Sequence, residues 1–331
     1  MADVDTSIAN FTRQRNAEKQ LFTAGPASLL PANLTGLMPC FGRGDEHYLQ
    51  VEQQVLEQLK AMSGHSQIVR MQGSASLALE MVARNFLRGR VLIVDSGYYS
   101  ERLHSLSAAA QRTEGEVSQL DRCAWDELEN ISGQYDWIYA CYTETSCALR
   151  IPIELLSQTA QRLGARLALD ATASIGLESG HERADVIAYS SCKGLFGLTG
   201  AAFIAYRDDP QVEPDSFYLR LSSHVSKMMT GPYHSIASLA DVLPHYDDHK
   251  AAVLANKAAL AKRFESYLTV EASLQPALCT HISCVVESAN RGVVLYKPRS
   301  NLGGSVICHL GEAHLGRAAK GAILDLLEIQ S

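Results

Sequence analysis

No apolar run in the 331 residues approaches the ~18 needed to span a membrane. The net charge is -7, and no basic tail or Lys/Arg stripe marks a partner such as nucleic acid or an anionic membrane surface. The opening stretch, MADVDTSIANFTRQRNAEKQ, lacks the apolar core of a signal peptide. None of the eight cysteines forms a CxxC pair. Scattered through apolar contexts, they read as reduced, mostly buried thiols and not as a metal site or disulfide framework. A cytoplasmic setting without a bound metal is the expectation. No G-x-G-x-x-G follows the first strand-like run, which sets aside a nicotinamide-dependent dehydrogenase.

What is there is an ordinary globular composition, 47% hydrophobic and 20% charged, on a chain long enough for two units. Residues 1–30 read as a polar arm ending in the turn TAGPASLLP. In DEHYLQVEQQVLEQLKAMSG, residues Tyr48, Val51, Val55, Leu56 and Leu59 recur at helical spacing, with Gly64 as a stop. Apolar runs at 91–97, 137–142, 166–172, 186–191 and 201–207 read as buried strands. The segments SLALEMVARNFL (76–87) and PIELLSQTAQRLG (152–164) read as amphipathic helices between them. Continuous apolar strands separated by such helices imply an α/β fold, its large domain (31–235) a mostly parallel sheet covered by helices on both faces. After about residue 215 the pattern changes. A long helix (249–268), strand runs at 280–287, 292–297 and 305–310, and a final helix (314–328) imply a smaller α+β domain over 236–331.

In such a sheet, ligands bind beyond the carboxyl ends of the strands, and four polar clusters fall there. MQGSASLALE puts Ser74 and Ser76 at a helix start, either as an anion cradle or with Ser74 as a simple N-cap. DSGYYSER offers two aromatics, to stack on a planar ligand or to pack in the core. CYTETSCALRIP supplies Thr143, Glu144, Thr145 and Ser146, or is a capping turn. ALDATASIG ends a strand on Asp170, and Lys193 in YSSCKGLFGLTGAAF follows the next strand. The two read as cleft partners or as a structural ion pair. Taken in chain order, cradle, aromatic, carboxylate and lysine fit pyridoxal 5'-phosphate. That cofactor needs its phosphate held, its ring stacked, its pyridine nitrogen kept protonated and a partly desolvated amine for its aldehyde.

The stretches FTAGPASL, GSASLALE, SGYYSER, TETSCALRIPIE, LDATASIG and SSCKGLFGLTGAAFIAYR carry a resemblance. From about residue 21 to 315 the chain resembles the class V aminotransferases of the fold type I pyridoxal-phosphate enzymes. It is most similar to those acting on 2-aminoethylphosphonate with pyruvate, or on alanine with glyoxylate. The resemblance implies that Lys193 joins the cofactor's aldehyde and that Asp170 pairs with its pyridinium nitrogen. It also implies that Tyr99 stacks on the ring, with Thr172 on the opposite face and Thr145 near the phenolate side. Ser74, Ala75 and Ser76 would form the phosphate loop. MTGPYHS (229–235) would carry Thr230 to the phosphate of a partner subunit, implying a homodimer with shared active sites.

The chain departs from that family twice. Cys192 stands where a polar Gln, Asn or His commonly precedes the lysine. Val306, in SVICHLG, stands where an arginine grips the substrate's acid group. Either another residue holds that acid, with Arg43 and Arg299 as substrate-binding candidates and His309 and Lys297 behind them, or the substrate lacks it, or the register shifts across KPRSNLGG. The leading expectation is a pyridoxal-phosphate-dependent aminotransferase acting on a small amine or amino acid, such as an aminophosphonate, with a 2-oxo acid acceptor. The alternatives are a lyase of the same fold, with elimination or desulfurase-like chemistry, and a non-catalytic ligand-binding relative.

Overall fold

The computed structural model describes residues 2–25, 27–37, 40–311 and 322–330. Its sheet grows out of the apolar runs. β3 (Gly89–Asp95), β5 (Trp137–Cys141), β8 (Arg166–Asp170), β9 (Val186–Ser190) and β10 (Ala201–Tyr206) are buried along most of their length. They join β2 (Gln67–Gln72) and β4 (Val117–Ala124) in a seven-stranded sheet ordered β2-β10-β9-β8-β5-β3-β4. β10 runs antiparallel to both its neighbours, and the other pairings are parallel. The α/β expectation of a mostly parallel sheet holds.

Successive residues of a strand face opposite ways, so each strand feeds two cores. Leu92, Ile138, Leu167 and Ile187 pack on one face with α3 (Glu46–Ser63), α6 (Ile153–Leu163) and α8 (Tyr233–Val242). Their neighbours Ile93, Tyr139, Ala168 and Ala188 pack on the other with α4 (Ala75–Asn85) and α5 (Tyr98–Glu114). α3 starts where the Asp45 carboxylate accepts from the His47 and Tyr48 amides and stops at Gly64, φ 71°. Two strands carry no continuous apolar run. β2 holds the buried Arg70, ion-paired to Glu52 on α3, and β4 is an edge strand with exposed positions.

The segment read as a polar arm is mostly helix: α1 (Ala2–Glu18) buries Thr12 and Asn16. Asn16 Nδ2 donates to the Leu29 carbonyl at 2.9 Å. β1 (Gln20–Phe22) then pairs in parallel with β13 (Val293–Leu295), tying the two ends of the chain together. In α2 (Pro31–Thr35), the buried Asn33 donates to the Phe196 carbonyl, just beyond Lys193, at 3.0 Å. β5 is followed by the short hairpin β6 (Thr143–Glu144) and β7 (Leu149–Arg150).

Beyond α7 (Leu221–Val225), α9 (Tyr246–Arg263) leads to two antiparallel pairs. These are β11 (Cys279–Ile282) with β14 (Ser305–Cys308), and β12 (Val286–Glu287) with β15 (Glu328–Ile329). A third apolar cluster joins Phe22 to Leu260, Phe264, Ile282, Ile307 and Leu327. Of the helix expected over 314–328, α10 (Ala322–Asp325) is present and Glu328 belongs to β15 instead, where it pairs with Glu287. Residues 314–321 lie outside the described residues.

Candidate active site

β2, β3, β5, β8 and β9 run the same way, so their carboxyl ends share one edge of the sheet. A cavity of about 240 Å³ opens there. Ser74, Ala75 and Ser76 line it at the first turn of α4. Ser74 occupies the N-cap position in extended conformation (φ -93°, ψ 168°), but its side chain makes no capping hydrogen bond. The simple-cap alternative is therefore not what the hydroxyl does. The amides opening an eleven-residue helix also favour an anion by their dipoles.

Tyr99 is the second residue of α5, and a buried carboxylate holds it in place. Glu144 Oε2 accepts from the Tyr99 amide at 2.8 Å and the Ser100 amide at 3.3 Å, and Oε1 accepts from the Ser146 amide and hydroxyl. Gly97 makes this possible: at φ +150°, any Cβ there would lie 2.9 Å from Glu144 Cγ. Burial raises the Glu144 carboxyl, and these four donors pull against it. The Tyr99 ring centroid lies 5.6 Å from Lys193 Nζ.

Asp170 ends β8 at the cavity wall, 5% exposed, and accepts from the Thr172 amide at 2.9 Å. Burial pushes its carboxyl above the usual carboxylate range, opposed first by the Thr172 hydroxyl, then by the Thr172 amide and the fields of Lys193 and Arg102. It forms no salt bridge among the described residues, so the ion-pair alternative for Asp170 and Lys193 is not realised. The hydroxyls of Thr143, Thr145 and Thr172 also line the cavity: Thr172 stands beside the Asp170 carboxylate, and the Thr143 hydroxyl is buried without a hydrogen-bond partner. A buried carboxylate and three threonine hydroxyls, that of Thr143 unpaired, around one cavity are groups arranged for a guest.

Lys193 opens a short 3-10 turn at φ 63°, a conformation costly for a residue with a Cβ. Its side chain passes over Gly25, φ +105°, where an added Cβ would stand 2.7 Å from Lys193 Cγ. Behind it, Leu195 and Phe196 are fully buried, which accounts for the apolar run after the lysine.

Solved structures share this architecture. The aspartate aminotransferase of subgroup IV from Thermus thermophilus superposes with a TM-score of 0.79 at 20% identity, covering 93% of this chain and 97% of that one. Alanine–glyoxylate aminotransferase from Nostoc sp. gives 0.75 at 16%, over 92% and 95%, and pyridoxamine–pyruvate aminotransferase from Mesorhizobium loti 0.73 at 18%, over 92% and 91%. The fold is that of the fold type I aminotransferases. No family model matches the chain. In sequence it is related to transaminases: 255 residues are 26% identical to the 2-aminoethylphosphonate–pyruvate transaminase of Salmonella paratyphi A, covering 70% of this chain and 67% of that protein. The Salmonella typhimurium protein of that name matches over the same extent.

Within this aminotransferase fold, the two candidate arginines part company. Arg299 reaches the cavity and donates to the Tyr98 hydroxyl at 3.3 Å, with its guanidinium 5.5 Å from the Tyr98 ring centroid. Arg43 does not line it. Its guanidinium donates to the Met228 carbonyl from an exposed loop. Val306 is buried in β14 opposite His281, away from the cavity. His309 is buried between Asn256 and Thr280, and burial lowers its imidazole to about 3, a neutral core histidine. Thr230 is exposed and outside this chain's cavity. Cys192 lines the cavity with its thiol 3.4 Å from the Ser190 hydroxyl.

Sequence reasoning missed Arg102, which also lines the cavity and donates to the Ser76 hydroxyl at 3.2 Å. The signal was its place three residues after Tyr99, on the same helix face.

Proposed function

We propose that this chain is a pyridoxal-phosphate-dependent aminotransferase that moves an amino group from a small amine to a 2-oxo acid. The observation that carries the reading is the convergence of Asp170, Lys193, Tyr99 and three threonine hydroxyls on one cavity. Those groups fit the cofactor. The α4 amides with Ser74, Ala75 and Ser76 would hold its phosphate, and Tyr99 and Thr172 its ring. Thr145 would meet its phenolate side. Asp170 would keep a proton on the ring nitrogen, because a buried carboxylate is stabilised by a cation placed against it. Bound there, the cofactor supplies an electron sink for the carbanion left when the amine loses its Cα proton. Lys193 Nζ would take that proton and return it, which is general acid–base work by a positioned amine.

Arg299 is the cation placed to grip a substrate acid, since its guanidinium stands at the cavity and Val306 does not. A fork of donors on an oxyanion fits a carboxylate or phosphonate. An aminophosphonate donor is favoured by the relatives of that specificity. Thr230, Val225 and Met228 are exposed, which leaves Thr230 open to serve a second copy in a homodimer with shared sites. Among the described residues no helix is long and apolar enough to cross a membrane, and all eight cysteines are free thiols, in keeping with a cytoplasmic enzyme. The test is spectroscopic: an amine donor should discharge the visible band of the lysine-linked cofactor, and a 2-oxo acid should restore it. Release of product without any acceptor would instead mark a lyase.

A further inference from the structure

Arg102 is a half-buried cation that forms no salt bridge among the described residues, although its field reaches Asp170. Its Nη1 donates to the Ser76 hydroxyl at 3.2 Å, and its guanidinium carbon lies 5.1 Å from the Tyr99 ring centroid and 5.8 Å from that of Tyr98. Two aromatic rings thus hold the fork at the mouth of the α4 amides, so little side-chain freedom remains to be lost on binding. Helix dipole, Ser74, Ser76 and guanidinium together form a pole of positive potential at one end of the cavity. Asp170 defines a negative side of the same cavity. A neutral guest leaves this pole uncompensated, whereas a dianion satisfies it.

Cys192 makes the demand sharper. The residue before Lys193 lines the cavity, yet its thiol is a weak donor already turned toward Ser190. A strong donor for an oxyanion has to come from elsewhere. We infer that Arg102 is that donor: a ligand of the cofactor's phosphate group, supplying the charge that Cys192 cannot.

This inference rests on the reading of the cavity as a pyridoxal-phosphate site, and its test separates the two. Apoprotein is titrated with pyridoxal phosphate and with phosphate-free pyridoxal, following the visible band. Wild type should take up the phosphate form far more tightly. In Arg102→Gln, the dissociation constant for pyridoxal phosphate should rise about 10- to 100-fold, the loss of a charge-assisted contact, while that for pyridoxal stays within about twofold. Inorganic phosphate should compete with pyridoxal phosphate on wild type and much less on the variant. Arg102→Lys, which keeps the charge and loses the fork, should fall between and serves if the glutamine variant does not fold. Equal weakening of both ligands would show a merely structural role and overturn the inference. So would unchanged cofactor binding with a raised KM for the amine, which would move Arg102 to the substrate's acid. A wild type that binds neither ligand would overturn the cofactor reading itself, and this inference with it.

Discussion

Asp170 carries an electrostatic conflict that a single substitution exposes. Its carboxyl is raised by burial, so the folded chain binds that proton more tightly than the unfolded chain does. Its contribution to stability is therefore favourable at low pH and is lost as pH rises through the folded value, leaving a penalty at neutral pH when no cation sits against it. Asp170→Asn should stabilise the apoprotein at pH 7 by on the order of 1 kcal/mol, a rise of about 1–2 °C in Tm. The same change should weaken cofactor binding. Thermal unfolding with and without pyridoxal phosphate checks both halves, and an apoprotein destabilised by the change would contradict the account. Residues such as Asp170 and Lys193 were legible because strand ends are legible: an apolar run breaks and the next polar group faces the edge. Arg43 was not, since nothing local in a loop says which way a long side chain will turn. Val306 was a misleading position, because β14 buries it in the main core cluster and not at the cavity.

At the scale of elements, the N-terminus of α5 is set by its own Ser100, whose hydroxyl accepts from the Ser96 and Gly97 amides, and by the hairpin β6–β7. Glu144 caps α5 from across the site, and through the Tyr99 amide it fixes where that ring can stand. Glu144→Ala would leave four donors unmatched, three of them buried, and should cost about 2–4 kcal/mol in denaturant unfolding. Glu144→Gln, which keeps one acceptor, should cost less. If the alanine variant were as stable as wild type, Glu144 would not be holding α5. Helices α3, α4 and α6 were readable from periodicity and caps. β2 and β4 were not: an ion pair inside one strand and solvent along the other interrupt the apolar signal. α1 escaped because a helix with few apolar side chains looks like an arm, even though it packs on the neighbouring α2.

For the whole molecule, both chain ends feed one core, and buried histidines link its stability to pH. His309 is held near 3 against a usual 6.5. The folded state refuses a proton that the unfolded chain accepts, so its contribution is intact above 6.5 and is lost as pH falls below it. The stability difference between wild type and His309→Gln should narrow by about 1.4 kcal/mol per pH unit from 6.5 down to 5, with other groups cancelling. A difference that does not change with pH would place that imidazole in water. The parallel sheet and the location of the site were legible at this scale because strand composition and chain order both report on topology. The coupling of β1 to β13 was not, since three-residue strands carry too little pattern.

The central claim is that Lys193 is the amine that holds the cofactor and moves the proton. Reconstituted wild type and Lys193→Ala should be compared by visible absorption, before and after an amine and then a 2-oxo acid are added. The account predicts a band in wild type that the amine discharges and the 2-oxo acid restores, and no lysine-linked band in the variant. A wild type that stays colourless after incubation with pyridoxal phosphate, or a variant whose band matches it, would contradict the account.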